Sequence, residues 1–288
     1  MNKLGIHALV WVGGWSQNES RLAIAGAAET GYDLIEIPLL NPKAVDVAAT
    51  RKQLADCGVG AATSLGLAFD TDISSPDKAV VARGEVLLND ALGVCRDLGS
   101  SYMGGVIFSA LGKYSAPPTK AGRDNCVAAL ARLAAKAKAS GITLGLEPVN
   151  RYESNLINTG RQAMEIIAET GADNIVVHLD SYHMNIEEGD FADAIAHCGA
   201  NLGYFHIGES HRGYLGTGSI DFRTIFRALV RIGYAGPITF ESFSSAVVDP
   251  ALSTALAVWR NLWSDSADLA RRARQFIDSE LDAARRGA

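Results

Sequence analysis

The sequence predicts an α/β fold of one domain, residues 1–288 forming a single (β/α)8 TIM barrel with additional C-terminal helices. Three observations carry this. Eight short runs rich in aliphatic, β-branched and aromatic residues alternate with longer amphipathic runs, the order that builds a closed parallel sheet. Glycines suited to a left-handed helix cap stand where a helical run meets the next strand, at Gly31, Gly58, Gly99, Gly141, Gly171 and Gly233. The length of 288 residues suits one barrel of roughly 250 residues plus a tail, and no linker or low-complexity segment divides it.

Taken in order, the strands are expected at 5–10, 34–37, 60–65, 102–107, 143–146, 175–179, 202–207 and 237–240, each a short apolar run bounded by turn formers. Amphipathic stretches at 20–29, 78–98, 122–139, 160–169, 191–198 and 221–232 are each long enough for a crossover helix. After the eighth strand, 249–263 and 265–285 read as two helices, the second with a solvated face of Arg, Asp and Glu.

Composition narrows the function. Hydrophobic residues make up 48% and charged residues 20%, enough for a large core and no sign of disorder. A formal net charge of −6 opposes a nucleic-acid partner, which needs a basic face. The first residues resemble no signal peptide, and no apolar run approaches the roughly 20 residues of a membrane span, so a cytoplasmic location without membrane partner is expected. Cys57, Cys95, Cys126 and Cys198 contain no CxxC and read as reduced structural thiols.

Chemistry concentrates at the C-terminal strand ends, where barrels carry their sites. Strands five to eight end at Glu147, Asp180, His206 and Glu241. One such residue alone reads as a salt bridge, but three buried carboxylates and an imidazole on one rim repel unless a cation or proton compensates them. The set is oxygen-rich and suits six-coordinate Mn²⁺, Mg²⁺ or Co²⁺ better than tetrahedral Zn²⁺. Two adjacent substrate oxygens could complete such a sphere. Glu153, His183 and Arg212 follow these strands as substrate contacts or loop salt bridges, and Glu36 ends strand two as a possible support for a ligand. Arg212 is expected in an exposed loop, so that its truncation spares stability.

Four segments are more specific: Glu147-Pro-Val-Asn-Arg-Tyr-Glu153, Asp180-Ser-Tyr-His183-Met-Asn-Ile-Glu-Glu, His206-Ile-Gly-Glu-Ser-His-Arg212-Gly and Phe240-Glu241-Ser-Phe. In these the chain resembles the ketose 3-epimerases, the group of D-tagatose, D-psicose (allulose) and L-ribulose 3-epimerases, over a similarity running from Gly5 to the C-terminal helices. The resemblance implies that Glu147, Asp180, His206 and Glu241 bind a metal, Mn²⁺ or Co²⁺ serving best, in a homodimer or homotetramer. It implies that Glu153, His183 and Arg212 hold the O1–O3 end of a free ketose. It further implies that Glu147 and Glu241 move the C3 proton through a cis-enediolate, one on each face of the sugar. Within the same superfamily an aldose–ketose isomerase, a hydroxypyruvate isomerase or an inosose dehydratase would use similar ligands. A catalytically silent sugar-binding barrel would lack one of the two glutamates.

Other residues receive lesser expectations. His7, with Trp11 and Trp15 beyond it, is expected to touch the far end of the sugar, and Phe108, Leu111 and Tyr114 are candidates for a lid there. His178, His197 and His211 read as strand interior, helix surface and loop. Residues 213–221 could cradle a phosphate with backbone N–H groups but read better as a loop leading to a helix cap at Ser219 or Asp221.

Overall fold

The computed structural model describes residues 2–287. Eight parallel strands close into one barrel in chain order: β1 (Leu4–His7), β2 (Leu34–Pro38), β3 (Gly60–Leu67), β4 (Tyr102–Ala110), β5 (Thr143–Leu146), β6 (Ile175–Asp180), β7 (Leu202–Ile207) and β8 (Ile238–Phe240). Around them lie α1 (Gln17–Glu29), α2 (Val47–Cys57), α3 (Lys78–Leu98), α4 (Lys120–Ala139), α5 (Gly160–Thr170), α6 (Ser181–Glu187), α7 (Phe191–Cys198) and α8 (Phe222–Arg231), followed by α9 (Pro250–Ala255) and α10 (Ser266–Arg286). All six glycines expected to end helices have positive φ, between 67° and 82°. No helix among the described residues is long and apolar enough to cross a membrane. All four cysteines are free, and Cys57, unlike the other three, is exposed, which removes it from a packing role.

Strand residues alternate between two cores. Ile6, Ile35, Ile37, Val177, Phe205 and Phe240 are fully buried between barrel and helices. The residues between them fill the barrel itself. There Tyr102 stacks on Tyr204, centroids 4.2 Å apart, with Leu34 and Ala62 beside them. A Cβ on Gly104 or Gly145 would overlap the Tyr102 hydroxyl, so those two glycines make room for a ring lying across the barrel.

Three local expectations fail for identifiable reasons. Residues 8–10 do not continue β1 but form a 3-10 turn, because His7 Nδ1 accepts the Leu9 N–H at 3.2 Å and caps it. Ser181–Glu187 is a helix where a loop was expected, started by the Asp180 carboxylate, which accepts the Tyr182 N–H at 2.7 Å. The helix expected over 249–263 stops at Ala255. Ala257 has φ 53°, its N–H reaches Thr254 O at 3.3 Å, and the Val258 N–H reaches Ser253 O at 2.8 Å. That is the paired-bond ending usually marked by glycine, and an alanine there gives no sequence signal.

Candidate metal centre

Register brings the strand ends to one level. Asp180 pairs with His206, His206 with Thr239, and His7 with Glu36. Side chains two apart on a strand share a face, so above the tyrosine layer the barrel interior turns polar: His7, Glu36, Ser64, Glu147, Asp180, His206 and Glu241 are all buried. One donor atom from each of Glu147, Asp180, His206 and Glu241 lies within 4.8 Å of every other.

His206 shows how this group is aimed. Its Nε2 lies 2.8 Å from Glu36 Oε2, and its Nδ1 is buried without a hydrogen-bond partner, 3.3 Å from Glu147 Oε1 and 3.6 Å from Glu241 Oε1. A carboxylate holding the outer nitrogen of an imidazole fixes the ring and its tautomer, leaving the inner lone pair for a cation. Three carboxylates around that lone pair fit a divalent ion by charge and by donor type. Glu36, on which sequence reasoning was divided, sits in this supporting position.

The charges are strongly perturbed. Burial pushes Glu147 upward, with His206 only partly opposing it. Burial would also raise Glu241, but Arg212, then His206 and His7, outweigh it and hold that carboxyl below its ordinary value. Burial raises Glu153 to about 7 against the pull of Arg212 and an Asn150 hydrogen bond. The two glutamates just after β5 and just after β8 are thus pushed in opposite directions.

Arg212 corrects the sequence reading. It is buried, 9% exposed, with φ 62°, and its guanidinium lies 3.8 Å from the Tyr182 ring centroid. Nη1 donates to Asp180 Oδ2 at 3.0 Å and to Glu241 Oε2 at 2.6 Å. The expectation of an exposed, stability-neutral loop charge therefore fails, since removing one partner of a buried pair costs roughly 3–5 kcal/mol. We expect Arg212→Ala to lower the thermal midpoint of chelator-treated protein clearly, while saturating divalent cation, compensating the same carboxylates, recovers most of the midpoint but not kcat/KM. Differential scanning calorimetry with and without the ion checks this; equal midpoints in wild type and variant without ion would refute it.

The other expected contacts gather nearby. His183, on α6, accepts the Asn150 backbone N–H at 3.1 Å through Nδ1, and its Nε2 lies 3.3 Å from Arg212 Nη2 and 3.6 Å from Asp180 Oδ2. Asn150 Nδ2 donates to Glu153 Oε1 at 2.8 Å, and Glu153 Oε2 lies 4.0 Å from His183 Nε2. Asn150 stands in the Glu147–Glu153 motif but received no role from sequence, because an amide three residues past a strand end has no charge to mark it.

His7 faces the same cavity, with Nε2 3.4 Å from Ser64 Oγ and 3.7 Å from Glu36 Oε1. The cavity opens past an apolar wall that includes Leu9, Pro38, Leu65, Val106, Leu111 and Leu256. Leu256 comes from the tail, which thus closes one side of the site. Of the expected lid, Leu111 alone reaches the cavity. Phe108 is in the core, and Tyr114 is tied outside by donating to Asp72 Oδ2 at 2.6 Å. Trp11 packs over Gly26 and Trp15 lines a separate surface cleft, so neither reaches the cavity. Glu209, two residues beyond β7, turns into the following loop and accepts the N–H groups of Ser210 at 2.7 Å and Gly216 at 2.9 Å. Ser210 Oγ takes the Ser219 N–H, so the phosphate cradle is already filled by protein, and the helix cap is Asp221.

Comparison with known proteins agrees with this architecture. Residues 24–279 match the family model described as xylose isomerase-like TIM barrel. The chain is 54% identical over 273 residues to an L-ribulose 3-epimerase of Methylomonas sp. strain DH-1, covering 95% of this chain and 96% of that one. It is 50% identical over 288 residues to an L-ribulose 3-epimerase of Mesorhizobium japonicum, covering 100% and 97%. A crystal structure of a D-allulose 3-epimerase from Methylomonas sp. in complex with D-allulose superposes with TM-score 0.96 at 53% identity, over 97% of each chain.

Proposed function

The chain belongs to the xylose isomerase-like TIM-barrel family and is a ketose 3-epimerase, and from that premise we propose that it inverts C3 of a free ketose with Glu147 and Glu241 as its two proton-transfer groups. Ketoses of the D-psicose and D-fructose, D-tagatose and L-ribulose class are the substrates. A divalent cation, Mn²⁺ before Co²⁺ or Mg²⁺, is held by Glu147, Asp180, His206 and Glu241. Residues 1–288 act as one catalytic domain, assembled as a homodimer or homotetramer as the family resemblance implies.

The observation that carries this reading is that Glu147, just after β5, and Glu241, just after β8, come from different strands and each bring a carboxylate oxygen to His206 Nδ1, at 3.3 Å and 3.6 Å. Inversion needs a base on one face of C3 and an acid on the other. Bound among the four ligands, the cation would supply Lewis-acid polarisation of the ketose carbonyl, making the C3 proton acidic. One glutamate takes that proton, the electron pair delocalises onto the C2 oxygen as an enediolate, and the other glutamate returns a proton from the far face. Arg212, whose Nη2 lies 3.3 Å from His183 Nε2, sits beside the imidazole where its guanidinium can donate to an oxygen that becomes negative. Glu153, with Asn150 behind it, offers an acceptor to a sugar hydroxyl, and His7 beside Ser64 faces the far end. Incubation with fructose and with ribulose, followed by chromatography, should yield the C3 epimers; an aldose, a dehydrated product or unchanged sugar would point to the isomerase, dehydratase or silent-barrel alternative.

Cation binding should release protons. Glu147 is raised to about 8 and Asp180 to about 6, chiefly by burial, and an ion needs both ionised. Apparent affinity should therefore weaken as pH falls from 8 to 6, by up to about tenfold per unit for each proton displaced. Calorimetry in buffers of different ionisation enthalpy measures the release, and binding without it would contradict the assignment.

The substrate is the free sugar and not its phosphate. A phosphate brings nearly two negative charges toward Glu147, Glu153, Asp180 and Glu241, while Arg212 is already paired with two of them. Values of kcat/KM for ribulose, fructose and psicose should exceed those for their terminal phosphates. A better phosphorylated substrate, or inhibition by low-millimolar phosphate, would overturn this.

A further inference from the structure

A second group of donors reaches one layer deeper and adds to Glu147 and His206 a residue, His178, that takes no part in the function proposed above. One donor atom each from Glu147, His178 and His206 also lie within 4.8 Å of one another, all three residues buried. His178 stands two residues before Asp180 on β6, so it faces the barrel interior on the same side. Its ring meets that of His206 edge-on, centroids 4.1 Å apart at 84°. Sequence reasoning passed over it as strand interior, because a histidine within a strand carries no sign of what the opposite strand brings.

The two histidines are held alike. His178 Nδ1 lies 3.0 Å from the Tyr102 hydroxyl, as His206 Nε2 lies against Glu36. The other nitrogen of each, His178 Nε2 and His206 Nδ1, is buried without a hydrogen-bond partner. A buried polar atom left unpaired is costly and uncommon, and here two imidazole nitrogens are unpaired beside one carboxylate. Tyr102 is braced by its stack on Tyr204 and seated over Gly104 and Gly145. In the tautomer whose Nδ1–H donates to the Tyr102 hydroxyl, the His178 Nε2 lone pair is free, the outer-partner arrangement common to metal-binding histidines.

We propose that Glu147, His178 and His206 form a second, nitrogen-rich cation position beneath the oxygen-rich one, selective for borderline ions such as Zn²⁺. Two imidazoles and one carboxylate are a typical Zn²⁺ donor set, whereas three carboxylates and one imidazole suit the harder Mn²⁺. The two positions share Glu147 and His206, so one ion excludes the other. Zn²⁺ held at the lower position occupies Glu147 and leaves Asp180 and Glu241 without an ion, so it inhibits in competition with Mn²⁺. This rests on the reading of the upper cluster as the activating centre.

The test uses the full chain loaded with Zn²⁺ or Mn²⁺ alone. Anomalous diffraction at the zinc edge should place Zn²⁺ about 2.0–2.1 Å from His178 Nε2. Competition titration should show Zn²⁺ affinity falling at least about tenfold in His178→Gln and less in Tyr102→Phe, with Mn²⁺ affinity within about twofold of wild type in both. Zinc found among Asp180 and Glu241 instead, or only water between the two imidazoles, overturns the proposal, as does unchanged Zn²⁺ affinity in His178→Gln. The crystallographic arm needs no variant to fold. Failure of the wild type to bind Mn²⁺ would overturn the function proposed above, while the zinc position would still decide this one.

Discussion

Removal of divalent cations by a chelator should abolish C3 epimerisation, and Mn²⁺ should restore it. The proton at C3 is too weakly acidic for a carboxylate to remove unaided, and this chain's own cation near the reacting oxygens, Arg212, is divided between Asp180 and Glu241. A Lewis acid supplies several kcal/mol where charge develops, and about 5 kcal/mol is between a thousandfold and ten-thousandfold in rate. Turnover should be followed by chromatography on protein whose metal content is measured in parallel, with Mn²⁺, Co²⁺ and Mg²⁺ added back separately. Full activity in protein shown to be metal-free would remove the central assumption of the proposed function.

Glu147→Gln and Glu241→Gln should each lower kcat by at least about 10²–10⁴-fold, the range for loss of a general acid or base. Because each turnover uses one glutamate as base and the other as acid, either substitution stops both directions of epimerisation. The surviving glutamate still faces one side of C3. In D₂O, one variant should therefore exchange the C3 proton of one epimer without inverting it, and the other variant should do so with the opposite epimer. Wild-type product should carry deuterium at C3. Measured Mn²⁺ content separates a lost base from a lost ligand. Wild-type product free of solvent deuterium would indicate hydride transfer or a shielded proton and would exclude the two-base scheme.

How far the site was legible in the sequence differs from residue to residue. Glu147, Asp180, His206 and Glu241 were readable as a group because each ends an apolar strand run. Glu36 was half readable, since a carboxylate at a strand end can serve a ligand or be one, and His206 opposite it decides which. Asn150, Ser64 and His178 were not marked. Their importance comes from what faces them across the barrel: the Nδ1 of His183, the Nε2 of His7 and the ring of His206.

The sequence by itself determined the closed barrel and the level at which its polar strand ends meet. Strand periodicity, glycine helix caps and the order of parallel units are local properties, and closure then leaves one register for eight strands in chain order. Tertiary structure alone decided where the loop and tail side chains went. Arg212 is buried because a left-handed turn directs it onto Tyr182 and the carboxylates. Glu209 is withdrawn from the rim because the Gly216 and Ser210 N–H groups hold it, and Leu256 reaches the cavity where the left-handed Ala257 ends α9 and turns the chain. Those outcomes depend on contacts between segments distant in the chain, and a local pattern carries no record of them.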